Sequence, residues 1–464
     1  MQFELSTEYL EKLKEAIHAN DIAFVESQIK VLHPADIAEV FNELSIDEAK
    51  FLYKHLEEEE AGKVLIEMDE DVREKFLAEL TSKEIAEQFL DNMSSDDAAD
   101  VIGELPDAKQ DEVLALMEDA EQASDIVDLL NYDENTAGGL MATELIRVNV
   151  NKNILECVRE IRKQADGIEN MYAVYVVDDE DKLLGLLSLK KLLITPLRTK
   201  VKDILNPEII SVKTNTDAEE AAKIMEKYNL VVLPVVDGLG RLVGRITIDD
   251  VVDIIREEET EDVQKMAGME ALDEPYNSIS VWGMLKKRGG WLVILFLGES
   301  LTATAMSFFE DAIAKVVVLA LFVPLIISSG GNTGSQASTL VIRALALGQV
   351  SIRDWWTIIR KELKVGALLG ISLGLIGFLR VAVWSAFVDD FGPHWMYIGL
   401  TVGISLVGVV LWGNIVGSVF PLLLKRMGLD PAVSSAPFVA TLVDITGLII
   451  YFSVASSILA GTLL

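Results

Sequence analysis

Residues 438–459 read FVATLVDITGLIIYFSVASSIL, an apolar stretch that contains a single charged side chain, Asp444. The stretch is long enough to cross the hydrocarbon core of a bilayer as one helix. An ionised side chain at the centre of a bilayer costs about 3 kcal/mol or more, so it usually faces a bundle interior or a watery pathway. Asp444 is therefore a candidate ion site. The alternative is a carboxylate that pairs with a neighbouring helix or lies near the headgroups.

The composition indicates a membrane part joined to a highly acidic soluble part. Of the 464 residues, 50% are hydrophobic and 25% are charged, and the formal net charge is −34. Acidic residues are concentrated before Leu140, whereas acidic and basic residues are nearly balanced after Lys287. The acidic part repels nucleic acid and attracts cations, so we expect no nucleic-acid binding. The single cysteine, Cys157, excludes an internal disulfide framework and fits a cytosolic setting.

The N-terminal sequence MQFELSTEYLEKLKEAI is acidic and amphipathic. A secretory signal would instead combine a basic start with an apolar run. We therefore expect this end of the chain to stay in the cytoplasm.

Residues 1–140 are predicted to form an acidic all-α domain. From Thr7 to about Asp133, apolar residues recur three and four positions apart. The stretch DIAEVFNEL at 36–44 returns as DAADVIGEL at 97–105. This internal repeat predicts stacked helical hairpins that form a small superhelix.

Residues 141–256 contain a tandem repeat of α/β type. The sequence VYVVD at 174–178, followed by LGLLSLKK at 184–191, matches LPVVD at 233–237, followed by VGRITIDD at 243–250. The order of strand, turn, strand and helix resembles a pair of CBS domains. The resemblance predicts one such domain at 141–200 and a second at 201–256.

CBS domains often bind adenine nucleotides, and a final Asp then bonds the ribose. The second copy supplies Gly244, Thr247 and Asp250 for this role, whereas the first has Lys191 in place of the Asp. The resemblance thus implies at most one nucleotide site per chain, with ATP as the candidate ligand. The alternative is that Thr247 only caps the following helix through a free N–H.

A long acidic helix is predicted from Asp249 to about Met269, and residues 257–287 connect the repeat to the membrane part. The helix has more carboxylates than one exposed face usually carries. They are Asp250, Asp253, Glu258, Glu261 and Asp262. Asp96 and Asp100 are a second acidic feature, because a spacing of four places both on one helical face.

Residues 288–464 are predicted to form five membrane-spanning helices, each of about 20 or more apolar residues. The expected spans are Gly290–Phe309, Val316–Leu347, Val365–Phe387, Trp395–Leu424 and Ala432–Leu463. Basic residues fill the second and fourth connections, as in cytoplasmic loops. The first and third connections carry the acids Glu310, Asp311, Asp389 and Asp390. This pattern places the N-terminus inside and the C-terminus outside. Five helices give no symmetric internal repeat, which favours a pore on a homodimer axis.

The second span contains VPLIISSGGNTGSQ at 323–336. Pro324 lacks a backbone donor, the glycines permit unwinding, and Asn332 and Gln336 place amides at membrane depth. Two interpretations remain open. Either an unwound segment lines protein or water, or a kinked helix uses small residues for close packing.

These motifs together resemble the MgtE family of magnesium channels, and the resemblance covers the whole chain. It rests on the GGNTGSQ core at 330–336, RDW at 353–355, DPA at 430–432 and VATLVDITG at 439–447. It implies a homodimer whose pore is lined by the second and fifth spans of both chains. Asp444 matches the family residue that binds hydrated Mg²⁺, and the backbone carbonyl of Ala440 matches its companion ligand. Mg²⁺ dehydrates reluctantly and is commonly held by one or two carboxylates through retained water.

The resemblance also implies that cytosolic Mg²⁺ closes the pore by binding between acidic faces. The matching positions are Asp96, Asp100, Asp217, Glu219, Asp250, Asp253, Glu258, Glu261 and Asp430. Asn229 stands where the family has an Asp, and Lys63 or a neighbour stands where it has a Glu. We therefore expect a different set of regulatory ions. Glu299, in the first span, has no family role, and we favour a helix pairing or a vestibule position for it.

Other functions fit the sequence less well. A carrier for Mg²⁺, Mn²⁺ or Co²⁺ that is coupled to protons or Na⁺ would use the same fold, with Asp444 titrating. A membrane-anchored nucleotide sensor would leave Asp444 without a purpose. We expect no enzyme, because the sequence has no Ser/His/Asp set, no Cys/His metal pattern and no phosphate loop.

Overall fold

The computed structural model describes residues 3–165, 168, 171–272, 276, 279–387 and 393–463. The chain forms two compact units, Met1–Glu258 and Glu259–Leu464. Short helices and two small sheets make up the first unit, and long apolar helices dominate the second.

Short helices form the beginning of the first unit. They are α1 (Thr7–His18), α2 (Ile22–Ile29), α3 (Pro34–Asn42), α4 (Ile46–Tyr53), α5 (Glu58–Ile66), α6 (Glu70–Ala78), α7 (Ser82–Gln88), α8 (Ser95–Gly103), α9 (Asp107–Leu114) and α10 (Ala120–Leu129). Alternate helices pack on one another: α3 on α5, α5 on α7, α7 on α9, and α8 on α10. This is the stacking that the internal repeat predicts. Phe41, Tyr53, Phe76 and Phe89 form edge and tilted ring contacts in the core.

The tandem repeat folds into two sheets of the same topology. The first contains β1 (Ile146–Asn149), α11 (Ile154–Gln164), β2 (Val174–Val177), β3 (Leu183–Leu187) and α12 (Leu189–Ile194). The second contains β4 (Val212–Lys213), α13 (Ala218–Tyr228), β5 (Val232–Val236) and β6 (Leu242–Thr247). In each sheet the first strand is parallel to the second, and the second is antiparallel to the third. The predicted α/β repeat is confirmed.

The acidic helix α14 (Ile248–Met266) follows β6 directly. It ends three residues before the predicted Met269. Gly268 adopts a φ of +78°, a left-handed conformation that commonly stops a helix and favours glycine.

The second unit contains the remaining helices. They are α15 (Val281–Ser307), α16 (Glu310–Lys315), α17 (Val323–Ala346), α18 (Trp355–Trp384), α19 (Trp395–Arg426) and α20 (Ala436–Leu459). Within the described residues, five helical segments are long and apolar enough to cross a membrane, as predicted. The first begins at Val281, nine residues before the predicted start. Asp389 and Asp390 lie outside the described residues.

The glycine-rich stretch is helical, which excludes the unwound segment and favours the second of the two open interpretations, a helix that uses small residues for close packing. α17 is a continuous α-helix from Val323 to Ala346, and Pro324 lies in its first turn, where no N–H is needed. The small residues allow close packing instead. A β-carbon placed on Gly413 of α19 would lie 2.5 Å from the carbonyl oxygen of Gly330. Backbone therefore meets backbone here, as is common between membrane helices.

Candidate ion pathway and acidic cluster

Asp444 lies in α20 against the backbone of α17. A β-carbon placed on Gly331 would lie 3.2 Å from Oδ1 of Asp444 and 3.4 Å from the β-carbon of Ala440. Glycine therefore leaves the space that the carboxylate occupies. Ala440 precedes Asp444 by one helical turn, so both predicted pore residues face the same point of α17.

A polar stripe runs along α17 beside this point. We use this name for Ser328, Asn332, Gln336 and Thr339, which recur three and four residues apart and are all exposed on the single chain. Nδ2 of Asn332 donates to Oγ of Ser328 at 3.3 Å. Polar groups at membrane depth are stable only where they face protein or water. In a membrane, the polar stripe must therefore be covered by protein or face water.

Besides Asp444, the predicted membrane spans contain a second acidic residue, Glu299 of α15, which lies near it. Its carboxylate is close enough to act electrostatically on that of Asp444. The two helices pack together, since a β-carbon on Gly298 would lie 3.0 Å from the methyl group of Thr441. Within the described residues Glu299 has no hydrogen bond or ion pair. The predicted helix pairing therefore finds no partner there, and a vestibule position stays a prediction.

The first unit contains an acidic cluster, by which we mean Asp96, Asp97, Asp100, Asp249 and Asp250. The carboxylates of Asp96 and Asp97 repel each other, and the Asp96 carboxylate also repels those of Asp100 and Asp250. Burial, followed by repulsion from Asp96, raises the pKa of Asp100 to about 7 and that of Asp250 to about 8. Burial likewise raises the pKa of Asp96. The fold thus holds several carboxylates together at an electrostatic cost that a cation would relieve.

Local hydrogen bonds hold the acidic cluster in place. Ser95 donates to Glu144 through its backbone N–H and its hydroxyl, both at 2.9 Å, and so ties α8 to the segment before β1. Asp250 accepts from the backbone N–H of Thr247 at 3.2 Å and from its hydroxyl at 3.0 Å. The Thr247 hydroxyl thus bonds a carboxylate at the start of α14. The alternative prediction places this hydroxyl on a free backbone N–H of the helix, whereas here it bonds the side chain of Asp250.

A cleft of about 950 Å³ has the volume of a small-molecule site, and four members of the acidic cluster line it, namely Asp96, Asp97, Asp249 and Asp250. Its basic residues are Lys63, Lys163 and Arg245, and the Arg245 guanidinium lies 6.0 Å from the centre of the Tyr172 ring. Thr247 and Asp250 line the cleft, as the nucleotide prediction requires. Gly244 packs closely on Met141, because a β-carbon there would lie 2.6 Å from its sulfur, and the predicted nucleotide role of Gly244 stays a prediction.

Other predicted regulatory acids have local partners. Asp217 caps α13 by accepting from the Glu220 N–H at 3.3 Å, and Glu219 pairs with Lys223. Asp253 is exposed and lies 3.5 Å from Arg256. Glu258 is half-buried on α14. Asn229 ends α13 with a φ of +50°, a conformation that Asn tolerates, so it has a backbone role.

The last two predicted regulatory acids meet in the second unit. Glu261 and Asp430 share the ammonium of Lys265, at 2.5 Å and 2.8 Å respectively. Across the described ranges, no three His, Cys, Asp or Glu side chains converge so as to hold a metal ion directly.

Three family models match the chain, over four regions. The MgtE intracellular N domain matches residues 32–135, the CBS domain matches 137–196 and 201–257, and the MgtE divalent cation transporter domain matches 323–454. The "Magnesium transporter MgtE" of Thermus thermophilus is 36% identical over 449 residues, which cover 96% of this chain and 98% of that protein. The chain belongs to the MgtE family.

Further relatives carry the MgtE name. The "Magnesium transporter MgtE" of Enterococcus faecalis is 34% identical over 338 residues, covering 73% of this chain and 72% of that one. A solved structure titled as the cytosolic domain of the Mg²⁺ channel MgtE in complex with ATP is 33% identical, with a TM-score of 0.49. It covers 53% of this chain and 99% of its own. MgtE membership and the five apolar helices together identify a multi-pass membrane protein.

Three features of this MgtE chain escaped the sequence reasoning. Asp97 and Asp249 belong to the acidic cluster but were not predicted as ligands. Each is next in sequence to a predicted ligand, Asp96 or Asp250. The polar stripe required knowledge of which face of α17 stays uncovered. Lys265 follows Glu261 by four residues, a spacing that does predict an ion pair on a helix.

Proposed function

We propose that this MgtE-family chain moves Mg²⁺ across a membrane along a pathway lined by α17 and α20. The observation that carries the proposal is the Asp444 carboxylate at Gly331, beside the polar stripe. Asp444 and the carbonyl of Ala440 are the proposed pore ligands. A single carboxylate per chain suits an ion that keeps most of its water, which is the preference of Mg²⁺. Full-length relatives named as magnesium transporters support the choice of ion.

The pathway is completed by a second copy of the chain. One chain leaves the polar stripe uncovered, and a two-fold axis beside α17 would place two stripes and two Asp444 side chains around one aqueous path. Mg²⁺ flux into proteoliposomes, read with an enclosed indicator, tests the transport itself. Uptake above that of empty vesicles is expected. A flux that requires a pH or Na⁺ gradient would instead establish the coupled carrier.

Feedback closure by Mg²⁺ is the proposed regulation, with the acidic cluster as its principal sensor. An ion there offsets the repulsion that raises the pKa of Asp100 and Asp250. Asp96, Asp217, Glu219, Asp253 and Glu258 remain proposed ligands. In inside-out patches, raising bath Mg²⁺ to millimolar levels should close the intact channel. A current that persists at millimolar bath Mg²⁺ would refute the proposed feedback closure, but it would not contradict the proposed pathway.

ATP is the proposed second ligand of the first unit. Thr247 and Asp250 would hold it in the cleft, where Lys163 and Arg245 supply positive charge. Asp250 would have to exchange its bond to Thr247 for one to a ribose hydroxyl. Binding of a fluorescent ATP analogue should weaken in Asp250→Ala and stay unchanged in Lys191→Met, which alters the corresponding position of the first CBS copy. Equal binding by both variants would remove Asp250 from the site.

The proposed placement is the cell membrane, with the first unit in the cytoplasm and the C-terminus outside. The pattern of basic and acidic connections supports it. Protease access to a tag at either terminus of the chain in oriented vesicles tests the topology: a C-terminal tag that is cleaved only from the cytoplasmic side would overturn it.

The domain boundaries at residues 140, 200, 256 and 287 remain predictions.

A further inference from the structure

Lys265 lies between two acids that the family pattern assigns to regulatory Mg²⁺. Its Nζ is 2.5 Å from Oε1 of Glu261, one turn earlier on α14, and 2.8 Å from Oδ2 of Asp430, in the segment before α20. The exposed fractions of the three side chains are 28% for Lys265, 37% for Glu261 and 36% for Asp430. The Lys265 side chain is therefore the most shielded of the three, and its ammonium lies between the two carboxylates, where a bridging ion would lie.

The Asp430 carboxylate is occupied on both oxygens. Oδ2 accepts from Lys265, and Oδ1 accepts from the backbone N–H of Ala432 at 2.8 Å. A divalent ion that entered between Glu261 and Asp430 would meet a positive charge there and would have to displace the ammonium. Two carboxylates and one ammonium sum to a charge of −1, compared with −2 for the acids alone. The site is thus half neutralised from within the chain.

The ammonium stays charged in this position. A lysine ammonium ordinarily loses its proton only near pH 10, and this one contacts two carboxylates. Lys265 is consequently a permanent cation at any physiological pH.

Neutral contacts hold the same stretch of chain against α15 and the start of α20. A β-carbon on Gly268 would lie 2.7 Å from Nε1 of Trp291 and 3.3 Å from Cγ of Pro437. Nε1 of Trp291 donates to Oγ of Ser435 at 3.2 Å, and the N–H of Glu270 donates to the carbonyl of Lys287 at 3.1 Å. This packing brings Glu261 towards Asp430. Without a cation between them, the two carboxylates would oppose the contact.

We propose that Lys265 is the resident cation of the Glu261–Asp430 pair and holds the end of α14 on the Asp430 segment without a metal ion. The pair is then a built-in ion bridge, and Mg²⁺ occupies it only when the ammonium is removed. For the channel the consequence, which rests on the proposed feedback closure, is that closure requires less cytosolic Mg²⁺ than the acids alone would demand.

Hydrogen exchange of the full-length protein in detergent tests the bridge apart from any transport. In EDTA, amides of residues 262–269 should exchange slowly in the intact chain and roughly fivefold faster in Lys265→Met, about the effect of one partly shielded ion pair. Lys265→Arg, which keeps the charge, and Lys315→Met, which removes a lysine elsewhere, should match the intact chain. Adding Mg²⁺ should restore slow exchange in Lys265→Met. Equal exchange by the intact chain and Lys265→Met in EDTA would overturn the bridge.

Closure by bath Mg²⁺ in inside-out patches tests the consequence. The Mg²⁺ concentration that closes half of the channels should rise roughly threefold in Lys265→Met. It should return towards the intact value in the double variant Lys265→Met/Asp430→Asn, because Glu261 then no longer faces a second negative charge. An unchanged or lower concentration in Lys265→Met would overturn the consequence, and a lower one would show that Lys265 competes with Mg²⁺. An intact channel that Mg²⁺ does not close would refute the feedback function, while the exchange result would still decide the bridge.

Discussion

The carboxylate of Asp444 lies against Gly331, whose missing side chain leaves it room: a β-carbon there would come within 3.2 Å of Oδ1. The acid belongs to α20 and the glycine to α17, so the packing of two helices fixes the position of the charge. The polar stripe lies beside this contact, on the neighbouring exposed face of α17, whereas Gly331 itself is buried. This contact joins the candidate ion ligand to the surface that we assign to the pathway.

Gly331→Ala should lower Mg²⁺ flux while the protein still folds. The added methyl group would press on both the Asp444 carboxylate and Ala440, at 3.2 Å and 3.4 Å, and so displace the ligand. Overpacking of this kind typically costs about 1–3 kcal/mol. Proteoliposome flux should fall roughly fivefold or more, since about 1 kcal/mol corresponds to that factor.

The matched control for this change is Gly289→Ala, because no atom lies within 4 Å of a β-carbon at Gly289. That variant should transport normally. Undiminished flux in Gly331→Ala would mean that the Asp444–Gly331 contact does not set the geometry of the pathway.

Glu299→Gln should weaken the attraction of Mg²⁺ to the pathway. Glu299 acts electrostatically on Asp444, so its charge adds to the negative potential there. Across several ångströms of largely wet surroundings, one charge is worth well under 1 kcal/mol, which predicts a rise of roughly threefold in the half-saturating Mg²⁺ concentration. Flux measured over a range of Mg²⁺ concentrations checks this. Glu310→Gln, outside the spans, is the control, and the same shift in both variants would argue against a pathway role.

Asn332→Cys should form a disulfide between two copies of the chain. The proposed axis passes beside the polar stripe, and the native Cys157 is buried, so it should not interfere. Mild oxidation followed by gel electrophoresis under non-reducing conditions should give a dimer. Leu368→Cys, at an exposed position of α18, should stay monomeric under the same treatment. If Leu368→Cys formed dimers and Asn332→Cys did not, the two-fold axis would lie beside α18 and not beside the polar stripe.

The first unit should become less stable as the pH rises from about 4 to about 8. The pKa of Asp97 is about 6, that of Asp100 about 7 and that of Asp250 about 8, all above the unfolded value of about 4. The folded unit therefore binds more protons than the unfolded chain in this window, and its free energy of unfolding falls as the pH rises.

Asp100→Asn should flatten this dependence and raise the melting temperature near pH 8 by roughly 3 °C or more. Calorimetry of the full chain in detergent measures it, and Asp47→Asn, on an exposed surface, should follow the intact protein. Mg²⁺ should stabilise the intact unit more near pH 8 than near pH 5. A stability that rises with pH across the window would contradict the cluster as described.

Much of the fold could be predicted because its signals are local. Apolar spans, the CBS repeat and the periodicity around the 36–44 and 97–105 segments each depend on a few neighbouring residues. Asp444 was identified because a lone charge in an apolar helix is itself a signal. Family resemblance then supplied Ala440 and the regulatory acids.

The remaining features depend on contacts between distant segments. Gly331 has meaning only once α20 packs on α17, and the GGNTGSQ core alone does not distinguish an unwound segment from a closely packed helix. Asp249 acts electrostatically on Asp97 only when α14 meets α8 within the first unit. Asp430 is 165 residues from Lys265 in sequence, so no local pattern reveals that the two are paired.

The most direct test of the pathway is Mg²⁺ flux through Asp444→Asn, compared with Asp311→Asn. Both changes remove one carboxylate from the second unit, but Asp311 lies in the exposed short helix α16, outside the spans. With both proteins reconstituted at equal density, flux should be lost in Asp444→Asn and retained in Asp311→Asn. Equal flux through the two variants would contradict the account, because it would leave Asp444 as a structural carboxylate outside the ion path.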